Sequence, residues 1–233
     1  EAGADMIVVQ GTVVTARHSS KSLKGLVFAD LIKDLDVPVL VGNTVSYEVT
    51  KELMQQGIAG VMVGVGPGSV CTSREVLGIG IPQVSATIEC AAARDDYFKE
   101  TGKYIPIITD GGIRTGGDVC KSFAAGANAV MIGSPFAKTE EAPAKGFHWG
   151  MAAWHDSLPR GTRINMGTEY SLHQLLYGPS SRTDGTLNLV GALQICMGYV
   201  GAENIREMNK ARMVYAPAIK TEGKIYQQAG LGS

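Results

Sequence analysis

The sequence is short of charge, of aromatic residues and of long apolar runs, and each shortage narrows what the chain can be. Charged residues fill 18% of its 233 positions, below the roughly 25% of an average soluble protein. Its 21 Lys and Arg nearly balance 22 Asp and Glu, leaving a formal charge of −1. Without a basic excess there is no electrostatic footprint for a phosphate backbone, which argues against nucleic acid as the main partner. No apolar run approaches the ~18–20 residues of a membrane span, and no leader-like segment stands before the first apolar run. A cytoplasmic protein with no membrane partner is therefore expected. The four cysteines, Cys71, Cys90, Cys120 and Cys196, lie far apart with no Cys-x-x-Cys pair. That excludes a disulfide scaffold and suits reduced thiols. A 45% hydrophobic fraction is enough to bury one core, or at most two.

Glycine, by contrast, is abundant: 30 of 233 residues, about 13% against an average near 7%. Such an excess suits many tight turns between strands and helices. Three segments look alike, Ala2 to Gln10, Gly57 to Val65 and Gly126 to Ser134, each placing a glycine shortly before a short apolar run. Two further runs contain a proline, Val37 to Gly42 and Ile105 to Asp110. All five are continuous and rich in Val and Ile, the pattern of strands buried on both faces of a parallel sheet. Helical stretches fall between them, near 23–35, 46–56, 85–101 and 117–125, so the class is α/β. An open five-stranded sheet is one arrangement. The glycine-rich strand ends favour the other, strands four to eight of a (β/α)8 TIM barrel, with the chain forming the C-terminal part of one catalytic domain. After Ser134 no further strand of this kind is expected. That region should hold an insertion or flap at about 135–186, helices near 187–197 and 202–212, and a tail at about 213–233.

In a barrel, catalysis sits where the strands end. After the third run comes Gly64-Val-Gly-Pro-Gly-Ser-Val-Cys-Thr-Ser-Arg74. Its glycines let the backbone approach a ligand or ion, Ser69 offers a hydroxyl, and Cys71 is a candidate nucleophile in a loop ill suited to burying a side chain. Cys90, Cys120 and Cys196 are read as small buried hydrophobes. The fourth run ends in Asp110-Gly-Gly-Ile113, where a carboxylate beside two glycines suits a pair of ribose hydroxyls; Asp110 as a helix N-cap is the alternative. The fifth ends in Gly133-Ser134, a place for phosphate on backbone N–H groups.

These motifs together resemble the IMP dehydrogenase/GMP reductase family. The resemblance rests on Val65 to Arg74, Asp110-Gly-Gly-Ile-Arg-Thr-Gly-Gly-Asp118, Ala129 to Ser134, Thr139-Glu-Glu-Ala-Pro143 and Gly191-Ala-Leu-Gln-Ile-Cys-Met-Gly-Tyr-Val-Gly201. Gly146 to Met151 and Leu158 to Gly161 look like a short bacterial, cyanobacterial-type branch without CBS domains. The resemblance implies that Cys71 attacks C2 of a purine nucleotide and that hydride passes to NAD, leaving a covalent thioimidate. Ser73 matches a threonine that helps to activate water, and Asn43 a catalytic asparagine, although Asn43 could satisfy a turn and Ser73 could cap a helix. The substrate would be held by Ser69, Asp110, Gly112, Gly133, Ser134, His148, Gly150 and Met151. Gln10 and Thr12 match the cofactor side. Carbonyls of Gly66, Gly68 and Cys71 match a potassium loop, with Glu222 of a neighbouring subunit in a homotetramer.

Several positions depart from the family pattern. Gln10 stands where typical dehydrogenases carry Asp, Arg160 replaces a glutamate, His148 replaces a tyrosine, and no Arg-Tyr pair follows Ser134. The implied reaction is oxidation of IMP to XMP. Reduction of GMP by NADPH, or a nucleotide-binding protein without turnover, are the alternatives, and Ile88-Glu-Cys-Ala91 resembles the reductase form of its helix.

Overall fold

A computed structural model describes residues 3–11, 13–17, 25–151, 156–157, 161 and 163–215. Five short strands, β1 (Ile7–Gln10), β2 (Val39–Thr44), β3 (Gly60–Val63), β4 (Ile107–Asp110) and β5 (Ala129–Met131), form one parallel sheet. They lie side by side in sequence order. A doubly wound sheet would reverse its order at a switch point; uninterrupted order is the arrangement of a barrel segment.

The strands are separated by helices α1 (Phe28–Lys33), α2 (Tyr47–Gln55), α3 (Ser73–Leu77), α4 (Gln83–Thr101) and α5 (Gly116–Ala124). Local chemistry fixes their ends. Ser46 caps α2 by accepting from the Val49 N–H, and Thr115 with Asp118 forms a reciprocal capping box on α5. α4 stops at Gly102 in a left-handed conformation. Its buried stripe, Ala86, Cys90, Ala93 and Tyr97 among others, is mostly small, so the helix lies close against α2 and the sheet.

Strand alternation sorts the core into two faces. Val39, Val41, Val61, Val63 and Ile107 pack outward against the helices with Leu53, Met54 and Tyr97. Leu40, Met62 and Ile108 form a separate layer on the inner face. Two residues further along each strand, the inner face changes character: Gly42, Gly64 and Asp110 succeed those three, and Gln10 ends β1 on the same level, paired with Gly42. A Cβ on Gly42 would sit 2.4 Å from Met62, and one on Gly64 2.2 Å from the Asp110 carbonyl. The apolar plug therefore gives way to an opening at the C-terminal ends of the strands.

Beyond β5 the chain forms α6 (Ser134–Ala137), an antiparallel pair β6 (Phe147–Trp149) and β7 (Arg163–Asn165), and helices α7 (Leu172–Tyr177), α8 (Leu189–Val200) and α9 (Ile205–Met208). Leu175, Leu187, Leu189 and Met208 bury themselves against α5 in a second cluster. No helix among the described residues is long and apolar enough to cross a membrane.

The differences from the sequence expectations are local. The first helix begins only at Phe28, and the last covers four residues rather than eleven. The β6–β7 pair was not anticipated, because three-residue strands with one exposed face carry no apolar run. Nor was α3, which turns the end of the cysteine loop into helix directly after Thr72. Cys196 is half-buried, whereas Cys90 and Cys120 are buried as expected. α8 carries it at the margin of the second cluster, with the neighbouring Ile195 exposed.

Candidate active site

The opening above the inner layer is an open cleft, the concave setting that small-molecule sites take. Its wall includes Gln10, Asn43, Gly66, Gly68, Ser69, Cys71, Asp110, Gly112, Gly133, Ser134, His148, Gly150 and Met151. That is every sequence-expected site residue the structure describes except Ser73. Thr12 and Glu222 lie outside the described residues, as do Arg160 and the tail at 216–233.

Cys71 is half-buried at the cleft wall, and its thiol donates to the Ser73 hydroxyl at 3.4 Å. Ser73 is fully buried as the first residue of α3, and Thr72 occupies the cap position, so Ser73 stands beneath the sulfur rather than capping the helix. Arg74 fastens the loop from behind, its Nη2 donating to the Ile81 carbonyl at 2.7 Å. The other thiols are poorly suited to attack. Burial pushes Cys90 up to about 11 and Cys120 up to about 12, leaving both protonated near neutrality.

Across the cleft three strand ends meet. The Gln10 amide Nε2 donates to Asp110 Oδ2 at 2.6 Å and to Asn43 Oδ1 at 2.7 Å. Asn43 Nδ2 donates to the same Asp110 oxygen at 2.9 Å. Burial raises the Asp110 carboxyl above its ordinary value, and the hydrogen bonds from Asn43 and Gln10 oppose that rise without cancelling it. Asp110 is not a helix N-cap, a position Thr115 takes. Asn43 is buried and belongs to this network rather than to a turn.

A third group gathers hydroxyl and imidazole. Ser69 Oγ lies 2.7 Å from Ser134 Oγ, which lies 3.0 Å from His148 Nδ1. Burial lowers the His148 pKa, so the ring is neutral at pH 7. Gly150 backs directly onto the cysteine loop: a Cβ there would approach the Val70 carbonyl to 2.9 Å. The β6–β7 pair thus brings His148, Gly150 and Met151 to residues that precede them by some eighty positions.

Sequence reasoning missed Pro67, Ile113, Arg114 and Trp149, which also line the cleft. Pro67 is the surface on which Gly111 and Gly112 lie, since a Cβ on either would meet its ring. Arg114 brings the one arginine of the cleft wall among the described residues, and its signal was visible as the first cation after Asp-Gly-Gly. Trp149 had no signal, because its place depends on the pairing with Arg163. Among the described residues, no three His, Cys, Asp or Glu side chains converge as a metal site would require.

Comparison with known proteins agrees with this geometry. The family model for the IMP dehydrogenase/GMP reductase domain matches residues 1–156. An uncharacterized oxidoreductase of Mycolicibacterium smegmatis is 42% identical over 213 residues, covering 90% of this chain and 57% of that protein. The inosine-5'-monophosphate dehydrogenase of Aquifex aeolicus is 40% identical over 231 residues, covering 92% of this chain and 45% of its own length. The crystal structure of an IMP dehydrogenase/GMP reductase-like protein from Corynebacterium glutamicum superposes with a TM-score of 0.81 at 37% identity, over 90% of this chain and 55% of that one. The chain spans about half the length of these relatives, and the five parallel strands are part of a TIM barrel. On its sequence, its sheet order and its matched domain, the chain belongs to the IMP dehydrogenase/GMP reductase family.

Proposed function

We propose that the protein oxidises IMP to XMP with NAD through a thioimidate on Cys71. The observation that carries this reading is the convergence of three groups in one cleft: a thiol, a half-buried carboxylate and a hydroxyl–imidazole chain. A nucleoside monophosphate needs these three. Its ribose hydroxyls need an acceptor, which Asp110 supplies. Its phosphate needs donors, which Ser69, Ser134 and the backbone N–H groups of Gly112 and Gly133 supply, with Arg114 and His148 beside them. Its base then lies toward Cys71, against the backbone of Gly150 and Met151.

In the chemistry that follows, the Cys71 sulfur adds to C2 of the purine while N3 takes the thiol proton, and Ser73, the hydrogen-bond partner of the sulfur at 3.4 Å, can turn its O–H toward the thiolate when it is released. A bound NAD would supply the acceptor for the hydride of C2. Water then adds at C2 and the C–S bond breaks, so that XMP departs with the water oxygen and the thiolate returns.

The cleft suits a dinucleotide beside the nucleotide. Trp149 and Met151, 55% and 63% exposed, form an apolar shoulder on which a planar ring can stack. Potassium suits the carbonyl set of Gly66, Gly68 and Cys71, since a hard cation prefers oxygen donors. The Gly68 carbonyl also accepts from the Cys71 N–H at 3.1 Å, which leaves it a second lone pair.

Incubation with IMP plus NAD, and separately with GMP plus NADPH, tests the reading. NADH and XMP from the first pair support it. Turnover only of the second pair would make the protein a GMP reductase working through the same thioimidate. Tight nucleotide binding with neither reaction would leave a binding protein.

A further inference from the structure

Gln10, Asn43 and Asp110 come from three different strands, 33 and 67 residues apart, and close a ring of hydrogen bonds at the floor of the cleft. The ring has one consistent proton arrangement. Gln10 Nε2 has two hydrogens and directs one to each partner oxygen. Were its amide reversed, an oxygen would face two acceptors. Were the Asn43 amide reversed, its nitrogen would face the Gln10 nitrogen and its oxygen the carboxylate. Among the described residues both donors to Asp110 fall on Oδ2, which leaves Oδ1 and the second Asn43 N–H for a ligand.

We propose that Gln10 is a positioning residue that locks the Asp110 carboxylate and the Asn43 amide into a paired acceptor and donor for a ribose diol. The inference rests on the nucleotide reading above and deepens it. It gives a use to the amide at position 10, where typical dehydrogenases carry the shorter Asp. A Glu carboxylate, of the same reach, would stand about 2.6 Å from Asp110 Oδ2 and 2.7 Å from Asn43 Oδ1, two acceptors, and the carboxylate pair could persist in this half-buried place only by sharing a proton. Among the described residues, the other titratable or charged side chains on the cleft wall are Cys71, Arg114 and His148, and the bonds to Asp110 involve none of them.

Equilibrium binding of IMP and 2′-deoxy-IMP to wild type, Gln10→Ala and Gln10→Glu, scanned over pH, tests the inference. Gln10→Ala should weaken IMP binding about tenfold, equal to about 1.4 kcal/mol, and shrink the preference for IMP over its 2′-deoxy form. Gln10→Glu should bind progressively worse than wild type as pH rises from about 5.5 to 8, because the carboxyl pair loses its shared proton. A wild-type preference that Gln10→Ala leaves intact, or a Gln10→Glu ratio that does not vary with pH, would overturn the role of Gln10. If Gln10→Glu cannot be purified, Gln10→Ala decides alone. A wild type that does not distinguish the two nucleotides would sink the ribose reading itself, and the positioning role with it.

Discussion

Replacing Asp110 with Asn should stabilise the fold while removing nucleotide affinity. The Asp110 carboxylate accepts two amide hydrogen bonds on Oδ2. Bonds to a charged acceptor contribute about 1.5–3 kcal/mol each and neutral ones about 0.5–1.5, so neutralising the acceptor loses roughly 2–3 kcal/mol. Against this stands desolvation of a buried carboxylate, several kcal/mol. The Asp110 pKa is raised in spite of both bonds, which shows that desolvation wins. The neutral isostere should therefore gain on the order of 1 kcal/mol at neutral pH, or about 2–4 °C in Tm for a chain of this size. The sign with pH follows. A raised carboxyl holds its proton in the fold longer than in the unfolded chain, so wild-type stability falls as pH climbs from the ordinary carboxylate value through the raised one. The Tm gap between variant and wild type should be small in acid and widen to a plateau toward neutrality. At the same time the Asn Nδ2 takes the place of Oδ1 and presents donors to ribose hydroxyls, and IMP affinity should drop about 10- to 100-fold. Scanning calorimetry from about pH 4 to 8, with titration of IMP at pH 7, measures both. A variant less stable than wild type at pH 7, or one that binds IMP unchanged, would refute the reasoning.

Gly64→Ala should lose about 3 kcal/mol or more, because its φ is +143° and the new Cβ would lie 2.2 Å from the Asp110 carbonyl; thermal melting checks it, and an unchanged Tm contradicts the packing described. Alkylation of the folded protein near pH 8 should mark Cys71 while sparing Cys90 and Cys120, whose thiols burial pushes up to about 11 and about 12; peptide mapping reads the order. Hydrolysis of the thioimidate should limit turnover, since the sequence lacks both the Arg-Tyr pair and the glutamate that the family uses. A pre-steady-state burst of NADH, with a steady rate rising above about pH 8, is the expected signature. A burst-free reaction with its optimum at pH 7 would assign the base to another residue, His148 or His155, the latter outside the described residues.

Much of the sheet was legible because strands buried on both faces leave continuous apolar runs, and α2, α4 and α5 fell within two residues of their expected starts. The site was legible for a related reason. At Gly64 to Arg74 and Asp110 to Gly112, the glycines that open the barrel sit in the same short segments as the side chains lining it. What stayed hidden depends on distant pairing. The ring of Gln10, Asn43 and Asp110 spans a hundred residues of sequence, and no local pattern marks an amide as the donor another strand requires. The approach of Gly150 to Val70 is set by the short β6–β7 pair, whose strands are too brief to show a period. Likewise α3 has five residues, and its only sequence signals are the residues of the cysteine loop itself.

The central claim is that Cys71 forms a covalent bond to the nucleotide during turnover. Intact-protein mass spectrometry after acid quenching of a reaction with IMP and NAD tests it most directly. We expect wild type to carry one nucleotide adduct, mapped by peptide digestion to Cys71, and Cys71→Ala to bind IMP yet show neither adduct nor NADH. NADH production without a trapped adduct, an adduct on another cysteine, or turnover by Cys71→Ala at the wild-type rate would contradict it.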